Sequence, residues 1–340
     1  MKKMGLVFFM LPIFLCGGCT SHSYEGYIDP NVDMRVREIS VGSSAEVYDV
    51  LNDARSAVVG ISVDLNDGYA VGSGVAISNG GYILTNFHVV EGGDDISLYY
   101  ADKSTGTASV LWADVGLDMA VLKSSREIPY LSTESLDNIF IGQDVYAIGT
   151  PLTLEFKHTV TKGIVSATDR TLETESAYGS SFLQSLIQHD ASINPGNSGG
   201  PLIDSRGRVI GLNTLKASEG EGIAFAIPIE IGRVVVDKII ENNAYQTPYL
   251  GVFGFDSNLA EVYGQRLNDK GVYVVSATGS AEKAGILKGD LITAINGEEI
   301  DNMLDLRVAV YKRNIGDVIN ISFLRDGKAF EASVKLTSRI

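Results

Sequence analysis

The chain has 340 residues, of which 45% are hydrophobic and 20% are charged, and this excludes intrinsic disorder and allows about two ordinary domains. The 37 glycines and 8 prolines follow no Gly-X-Y period, so they indicate turns in a strand-rich chain and exclude collagen. The 27 Lys and Arg against 42 Asp and Glu give a net charge of -15. Because that charge repels polyphosphate, DNA and RNA are poor candidates for partners.

Both cysteines, Cys16 and Cys19, lie near the N-terminus, so the rest of the chain can form neither a disulfide nor a Cys-based zinc site. Residues 1–19 predict a signal peptide, since a basic start precedes an apolar run at 5–15 that is too short to span a bilayer. The ending Leu-Cys-Gly-Gly-Cys resembles a bacterial lipoprotein signal. The resemblance implies that Cys19 is lipidated and becomes the first mature residue, and an ordinary secretory peptide is the alternative.

Beyond the leader, residues 20–43 are polar and without periodicity, which predicts a flexible tether. A short helical pattern at 45–55 precedes strands of about five to eight residues that are separated by Gly, Asn and Asp turns. The clearest of these strands are 74–78, 82–85, 96–100, 119–122 and 144–148. None is followed by the crossover helix that a parallel sheet requires, so the pattern predicts antiparallel, barrel-like sheets.

A helix at 229–242 marks the end of this first domain, which we place at 44–245. Residues 246–340 predict a second, mixed domain. Its strands are expected near 271–276, 291–295 and 319–324, and its helices near 281–286 and 302–312. The chain is therefore expected to be mainly β, with an α+β domain at its C-terminal end.

The strongest chemical motif is Asn-Pro-Gly-Asn-Ser-Gly-Gly-Pro-Leu at residues 194–202. Glycines on both sides of Ser198 allow a sharp turn that exposes its hydroxyl. The same turn aims the N–H groups of Gly196 and Ser198 at one point, which is the geometry of an oxyanion hole. A plain glycine-rich turn is the alternative. Because a serine hydroxyl is a weak nucleophile, it requires a neighbouring base.

His88 is the best candidate for that base, because it follows the apolar strand at 82–85. The other histidines carry no second signature: His22, His158 and His189. A carboxylate must orient the imidazole, and Asp118 introduces an apolar strand that would keep it dry, with Asp114 as the fallback. The chain order His, Asp, Ser is that of the two-barrel chymotrypsin-like enzymes.

At these residues the chain resembles the HtrA/Deg family of bacterial envelope serine proteases. Three motifs carry the resemblance: Thr-Asn-Phe-His-Val at 85–89, Asp-Met-Ala-Val-Leu at 118–122 and Gly-Asn-Ser-Gly-Gly-Pro-Leu at 196–202. Tyr-Leu-Gly-Val at 249–252 resembles the start of a PDZ domain, and the similarity spans about residues 45–338. Two departures lie outside the triad: His189 replaces a common Thr, and Ser56 replaces a usual Pro.

The resemblance implies a chymotrypsin-like double β-barrel with the triad in its cleft, one PDZ domain and assembly as a homotrimer. Family members cleave unfolded or mislocalised proteins, and single-PDZ, membrane-tethered members are regulated proteases of the stress response. Arg170 matches an arginine of the family's sensor loop that relays activation to the oxyanion hole, with a solvated loop arginine as the alternative. The loop formed by Tyr249, Leu250, Gly251 and Val252 is expected to hold the terminal carboxylate of C-terminal peptides.

Substrate preference is expected to depend on Ser192, which stands six residues before the candidate nucleophile. In the chymotrypsin-like layout that position forms the base of the primary pocket, here beside Ala191 and Ile193. No charge stands there, and a buried basic side chain without a partner is costly. We therefore expect small aliphatic residues such as Val or Ala at the P1 position.

Two other functions stay open: a proteolytically silent chaperone or peptide-binding adaptor, and a hydrolase of small esters. The triad argues against the first, and the peptide-binding domain argues against the second. No metal or cofactor is expected, since the histidines are scattered and the phosphate-loop pattern is missing. The protein is expected on the periplasmic side of the cell envelope, anchored by lipid. Thr20 after Cys19, rather than the Asp associated with inner-membrane retention, favours the outer membrane.

Overall fold

The computed structural model describes residues 38–39, 47–65, 68–93, 95–150, 158–176, 179–216, 222–262 and 270–338. The predicted signal peptide, with Cys16 and Cys19, lies outside these residues, as do Thr20 and His22. Within the described ranges, every helix is too short or too polar to cross a bilayer.

Six antiparallel strands close the first barrel, in the order β2-β3-β4-β7-β6-β5. Alternate apolar side chains of these strands point inward, so Val59, Ile61 and Val63 of β2 are buried. The elements of this region are β1 (Glu38–Ile39), α1 (Val47–Ala54), β2 (Val58–Leu65), β3 (Gly68–Ser78), β4 (Tyr82–Thr85), α2 (Phe87–Val90), β5 (Ile96–Tyr99), β6 (Thr105–Asp114), β7 (Met119–Ser124) and β8 (Tyr130–Leu131).

A second closed barrel follows, in the strand order β10-β11-β14-β13-β12-β9, and its core contains Val165, Ile187 and Leu202. Helix α3 then buries one face and ends where Asn243 adopts a left-handed conformation, with a φ of 57°. The elements are β9 (Asp144–Gly149), β10 (Thr159–Ser176), β11 (Gly179–His189), β12 (Pro201–Asp204), β13 (Val209–Lys216), β14 (Ala224–Pro228) and α3 (Glu230–Asn242).

The C-terminal domain is a sheet in the order β16-β17-β18-β20-β21, covered by helices, with β16 at one edge. Its first and last strands, β15 and β22, pair with each other. The elements are β15 (Pro248–Tyr249), β16 (Val252–Phe255), α4 (Ser257–Val262), β17 (Val272–Ala277), α5 (Gly279–Lys283), β18 (Leu291–Ile295), β19 (Glu298–Glu299), α6 (Met303–Tyr311), β20 (Val318–Arg325), β21 (Lys328–Lys335) and β22 (Thr337–Ser338).

The predicted fold class, two β-barrels followed by an α+β domain, is confirmed. Individual elements differ from the prediction. Strand β3 was expected to begin at residue 74 but begins at Gly68. Residues 68–73 include few apolar side chains, yet they pair with β2 in a hairpin and so extend the strand. His88 lies in the single turn of α2, three residues beyond Thr85, the last residue of β4.

Helix α6 of the C-terminal domain packs against the first barrel next to the segment that leads to Asp118. The ring of Tyr311 meets the ring of Trp112 edge to face, with 6.4 Å between centroids. Trp112 Nε1 donates a hydrogen bond to Thr247 Oγ1 at 2.8 Å, across the start of the C-terminal domain. These contacts join the C-terminal domain to the strand, β6, that precedes the candidate catalytic acid.

Candidate active site

The turn that follows β4 positions His88. Asn86 follows the last residue of β4 and has an extended backbone, and its Nδ2 donates to the carbonyl of Asp118 at 2.9 Å. The backbone N–H of His88 donates to Asp118 Oδ1 at 3.0 Å. Each of these bonds joins a backbone group of one segment to a side chain of the other. Together they leave the imidazole of His88 little freedom relative to the carboxylate of Asp118.

The imidazole of His88 faces the carboxylate of Asp118, with Nδ1 lying 3.0 Å from Oδ1 and 2.9 Å from Oδ2. A carboxylate can only accept, so Nδ1 carries a proton, and in the neutral imidazole Nε2 is the acceptor. The His88 side chain is 42% exposed and that of Asp118 is 14% exposed. The geometry therefore directs Nδ1 at the carboxylate and leaves Nε2, on the other side of the ring, for a proton donor.

Asp118 itself has a left-handed backbone with a φ of 49°, a conformation that Asp adopts more readily than most residues and that often marks a functional position. Asp114 has other contacts. Its Oδ1 accepts from the N–H of Leu117 at 3.2 Å, and its Oδ2 accepts from the hydroxyl of Tyr311 at 2.9 Å. Asp114 thus caps the turn before Asp118 and is not the acid that contacts His88.

The loop that carries Ser198 is organised by a turn over residues 194–197. The N–H of Asn197 donates to the carbonyl of Asn194 at 3.0 Å, and Gly196 has a φ of 99°, as position i+2 of a type II turn requires. Within the described part of the chain, the N–H groups of Gly196 and Ser198 donate to no acceptor, whereas those of Asn197 and Gly199 do. Two neighbouring amides are therefore available to a ligand.

Thr214 in β13 contacts two of the three predicted residues, and the sequence analysis did not identify it. Its hydroxyl donates to Asp118 Oδ2 at 2.7 Å, and its carbonyl accepts from Ser198 Oγ at 3.3 Å. Among the described residues, the Ser198 hydroxyl forms no hydrogen bond with His88. Thr214 lies 96 positions from Asp118 in the chain, so no local pattern could have indicated it.

The residues predicted for the primary pocket are not alike in exposure. Ser192 is exposed and its carbonyl accepts from Thr161 Oγ1 at 2.9 Å, whereas Ala191 and Ile193 are buried in the core of the second barrel. The nearest acid in sequence, Asp190, accepts from the N–H of Ile164 at 2.6 Å. Only Ser192 of the three therefore presents its side chain to solvent.

Arg170 was expected in a loop, and the structure corrects this. It lies inside strand β10, where the pairing with β11 shifts register around it and Asp169 has a φ of 56°. Its Nε donates to Gln188 Oε1 at 3.1 Å. The loop was expected from the family resemblance, and the structure places an irregular stretch of the ladder there instead.

His189, at the end of β11, is completely buried. It pairs with Val165 on one side and with Ala224 on the other. Burial lowers the pKa of His189 to about 4, although the neighbouring charge of Asp190 acts in the opposite direction. The side chain is therefore neutral at physiological pH and lies in the wall of the second barrel.

The loop predicted to hold a carboxylate lies between β15, which includes Tyr249, and edge strand β16, which begins at Val252. Between them Leu250 is buried, and Gly251 has a φ of 86°. A Cβ on Gly251 would lie 2.2 Å from the carbonyl oxygen of Thr278, so only glycine fits. The four residues thus form a tight loop at the end of an open sheet edge.

A groove of about 860 Å³ runs along this edge. Its walls are residues 249–254 of the C-terminal domain, the face of α6 that includes Leu306 and Val310, and residues 113–117 of the first barrel. The groove therefore combines an open strand edge, apolar side chains and the segment before Asp118. Among the described residues, no three His, Cys, Asp or Glu side chains lie close enough to form a metal site.

The chain was compared with known proteins. The family model of the trypsin-like peptidase domain matches residues 72–212, and that of the PDZ domain matches residues 255–336. The chain is 39% identical over 287 residues to the serine protease Do-like HtrA of Lactobacillus helveticus, which covers 79% of this chain and 68% of that protein. It is 36% identical over 277 residues to a probable periplasmic serine endoprotease, DegP-like, of Marinomonas sp. strain MWYL1, with 79% and 57% covered.

A solved structure of the HtrA-type protease AlgW with a tripeptide superimposes with a TM-score of 0.66 at 32% identity, covering 87% of this chain and 98% of that one. Both the sequence of each domain and the arrangement of the two domains are thus similar to those of HtrA-type proteases. The similarity to the Lactobacillus protein extends over more than two thirds of that protein's length. This chain therefore belongs to the HtrA family of serine proteases.

Proposed function

We propose that Ser198 is the acylated nucleophile of this protease, that His88 is its general base and that Asp118 orients the imidazole. The observation that carries the proposal is the contact of His88 Nδ1 with both oxygens of Asp118, at 3.0 and 2.9 Å. This contact leaves Nε2 as the acceptor of a proton, and the serine loop supplies two amides without acceptors among the described residues.

The reaction begins when the Ser198 hydroxyl turns from the carbonyl of Thr214 towards His88 Nε2. Nε2 takes the proton while Oγ attacks the carbonyl carbon of the scissile bond, and Asp118 stabilises the imidazolium. The negative oxygen of the tetrahedral intermediate accepts from the N–H groups of Gly196 and Ser198. His88 then protonates the leaving amine, and a water molecule activated by His88 releases the acyl group. No metal or cofactor takes part.

The substrates we propose are unfolded or regulatory proteins, with small aliphatic residues at P1 beside Ser192. The second ligand is a protein C-terminus at the C-terminal domain. Its carboxylate would meet the loop at Gly251, and its backbone would add as a strand to β16. Two observations support this proposal: a groove of about 860 Å³ lies along β16, and AlgW has been solved with a tripeptide and a decapeptide.

We also propose that peptide binding regulates cleavage. Residues 113–117 line the peptide groove and lead directly to Asp118, which supports communication between the two sites. Arg170 remains the proposed relay to the oxyanion hole, although its described contact is with Gln188. Assembly as a homotrimer and a role in envelope protein quality control and stress response complete the proposal, on the basis of the family.

The proposed location is the periplasmic side of the cell envelope, with a lipid anchor on Cys19 and a preference for the outer membrane. Support comes from the lipoprotein-like leader and from the Marinomonas relative, whose name includes the word periplasmic. Cys19→Ser should release the protein from membranes or leave it unprocessed, because lasting attachment requires several acyl chains. Finding the wild type entirely in the soluble fraction would overturn the anchor.

Degradation of unfolded casein by the full chain tests the function. Wild type should cleave casein with or without C-terminal peptides, and Ser198→Ala should lose activity by several orders of magnitude with an unchanged melting temperature. If the wild type suppresses casein aggregation without cleaving it, the protein is a chaperone or an adaptor. If it hydrolyses only small esters, the protein is an esterase and the proposed protease function is wrong.

A further inference from the structure

Ser73 in strand β3 is completely buried, and its backbone binds two segments of the active site. Its N–H donates to the carbonyl oxygen of Ser198 at 2.8 Å, and its carbonyl accepts from the hydroxyl of Thr85 at 2.7 Å. Thr85 is the last residue of β4, just before the turn with His88. The backbone of Ser73 therefore lies between the candidate nucleophile and the candidate base.

The side chain of Ser73 makes two further bonds. Its hydroxyl donates to the carbonyl of Gly196 at 2.7 Å and accepts from the N–H of Thr150 at 2.8 Å. The direction of each bond is unambiguous, because a carbonyl only accepts and an amide N–H only donates. One buried hydroxyl from the first barrel thus joins the glycine of the serine loop to the end of β9 in the second barrel.

Glycines permit this close approach. A Cβ on Gly72 would lie 2.5 Å from a methyl carbon of Val89 and 3.1 Å from the Ser198 carbonyl. A Cβ on Gly199 would lie 2.3 Å from the carbonyl oxygen of Ser73. A side chain at either position would push the serine loop away from Ser73. Glycine at positions 72 and 199 therefore allows the serine loop to pack directly against β3.

The conformation of Gly196 needs such a contact. With a φ of 99° it occupies a region that glycine enters easily and also leaves easily. The Gly196 carbonyl and the Asn197 N–H belong to one peptide unit, which Ser73 and Asn194 hold from its two sides. Fixing this unit limits the ψ angle of Gly196, whose own N–H, in the preceding peptide, is free of acceptors in the described part of the chain, as is that of Ser198.

We propose that the Ser73 hydroxyl is a positioning residue for the oxyanion hole, acting on the reaction through Gly196 without touching the substrate. The inference rests on the proposed roles of Ser198 and Gly196. Without the hydroxyl, two buried groups lose their partner, namely the carbonyl of Gly196 and the N–H of Thr150. The peptide that follows Gly196 is then less constrained, so the φ and ψ angles of Gly196 can change and its N–H, in the preceding peptide, can turn away from the reacting carbonyl.

The test compares Ser73→Ala with wild type in the full chain, using a short peptide reporter, a peptide boronate and the product peptide. The boronate forms a tetrahedral adduct with Ser198 whose oxygen occupies the oxyanion hole, whereas the product peptide does not need that hole. We expect kcat and boronate affinity to fall about 10- to 100-fold, somewhat less than for removal of an oxyanion donor. KM and product affinity should stay within about twofold, because ground-state binding is unchanged.

Ser78→Ala is the matched control, since Ser78 lies in the same strand and its hydroxyl donates only to the adjacent carbonyl of Asn79, at 3.2 Å. This variant should behave as wild type. Ser73→Cys, which keeps a side chain of similar size but is a weak donor, should repeat the loss seen with Ser73→Ala and covers the case in which the alanine variant folds poorly. Near-UV circular dichroism gives the folded fraction by which each kcat is corrected.

The inference is overturned if Ser73→Ala and Ser73→Cys bind the boronate as tightly as wild type, or if KM rises and product affinity falls by as much as kcat falls. Its failure is distinct from failure of the proposed function. If Ser198→Ala is inactive while both Ser73 variants are normal, only the role of Ser73 is wrong. If Ser198→Ala still cleaves the reporter, the catalytic assignment is wrong as well.

Discussion

Tyr311 in helix α6 donates a hydrogen bond from its hydroxyl to Asp114 Oδ2, over 2.9 Å. The tyrosine belongs to the C-terminal domain, and Asp114 belongs to the first barrel, where its other oxygen caps the turn before Asp118. The two residues are 197 positions apart in the chain. A peptide that enters the groove beside α6 therefore meets a helix that is bonded to the segment carrying the candidate catalytic acid.

Removing this bond should weaken the contact between the domains. Tyr311→Phe keeps the ring against Trp112 but removes the donor to Asp114 Oδ2, so we expect a loss of about 1–3 kcal/mol in the free energy of unfolding. Asp114→Ala, which removes the acceptor, provides the second side of a double-mutant cycle, measured by urea denaturation. Additive effects of the two substitutions would contradict a direct bond, whereas a coupling energy of about 1 kcal/mol or more would support it.

Thr214 should matter to catalysis through its contact with Asp118. Thr214→Val retains the shape of the side chain and removes the donor to Asp118 Oδ2. A hydrogen bond to a charged group contributes about 1.5–3 kcal/mol, so kcat/KM for a peptide reporter should fall about 10-fold or more. Thr214→Ser keeps the hydroxyl and should retain most of the activity. Equal losses in both variants would show that packing, rather than the hydroxyl, explains the effect.

His189 should make stability depend on pH. Its pKa is about 4 in the folded chain, against 6.5 for a free histidine, so between these values the unfolded chain binds more protons. The free energy of unfolding should therefore fall as the pH drops from about 6.5 to about 4, by about 3 kcal/mol from this residue, and change no further below that. His189→Gln should remove this part of the slope in urea denaturation, and an unchanged slope would contradict it.

Regulation by the C-terminal domain can be separated from simple delivery of substrate. A short reporter without a C-terminal recognition sequence should be cleaved about 5- to 150-fold faster at saturating C-terminal peptide, the range of a typical coupling. Arg170→Ala should abolish that activation, whereas Arg206→Ala, which alters an exposed arginine on a turn, should not. If added peptide leaves kcat/KM of this reporter unchanged, the domain delivers substrates and the allosteric account fails.

The sequence was most informative where local rules decide the structure. A short run between a glycine pair and an asparagine predicted strand β4 at its observed bounds, and β18 was likewise predicted at 291–295. Ser73 and Thr214 escaped detection because their partners lie far away in sequence, 123 positions for Ser73 and Gly196 and 96 for Thr214 and Asp118. Arg170 was expected in a loop from the family resemblance alone, and no local pattern indicated the irregular strand in which it lies.

Covalent labelling tests the central assignment most directly. The full chain is incubated with a peptidyl phosphonate that has Val at P1, then digested, and the modified residue is identified by mass spectrometry. The account predicts one adduct, on Ser198, which is absent in Ser198→Ala, greatly slowed in His88→Ala and unchanged in Ser205→Ala, a control on an exposed turn. Labelling of another residue, or undiminished labelling of Ser198→Ala, would contradict it.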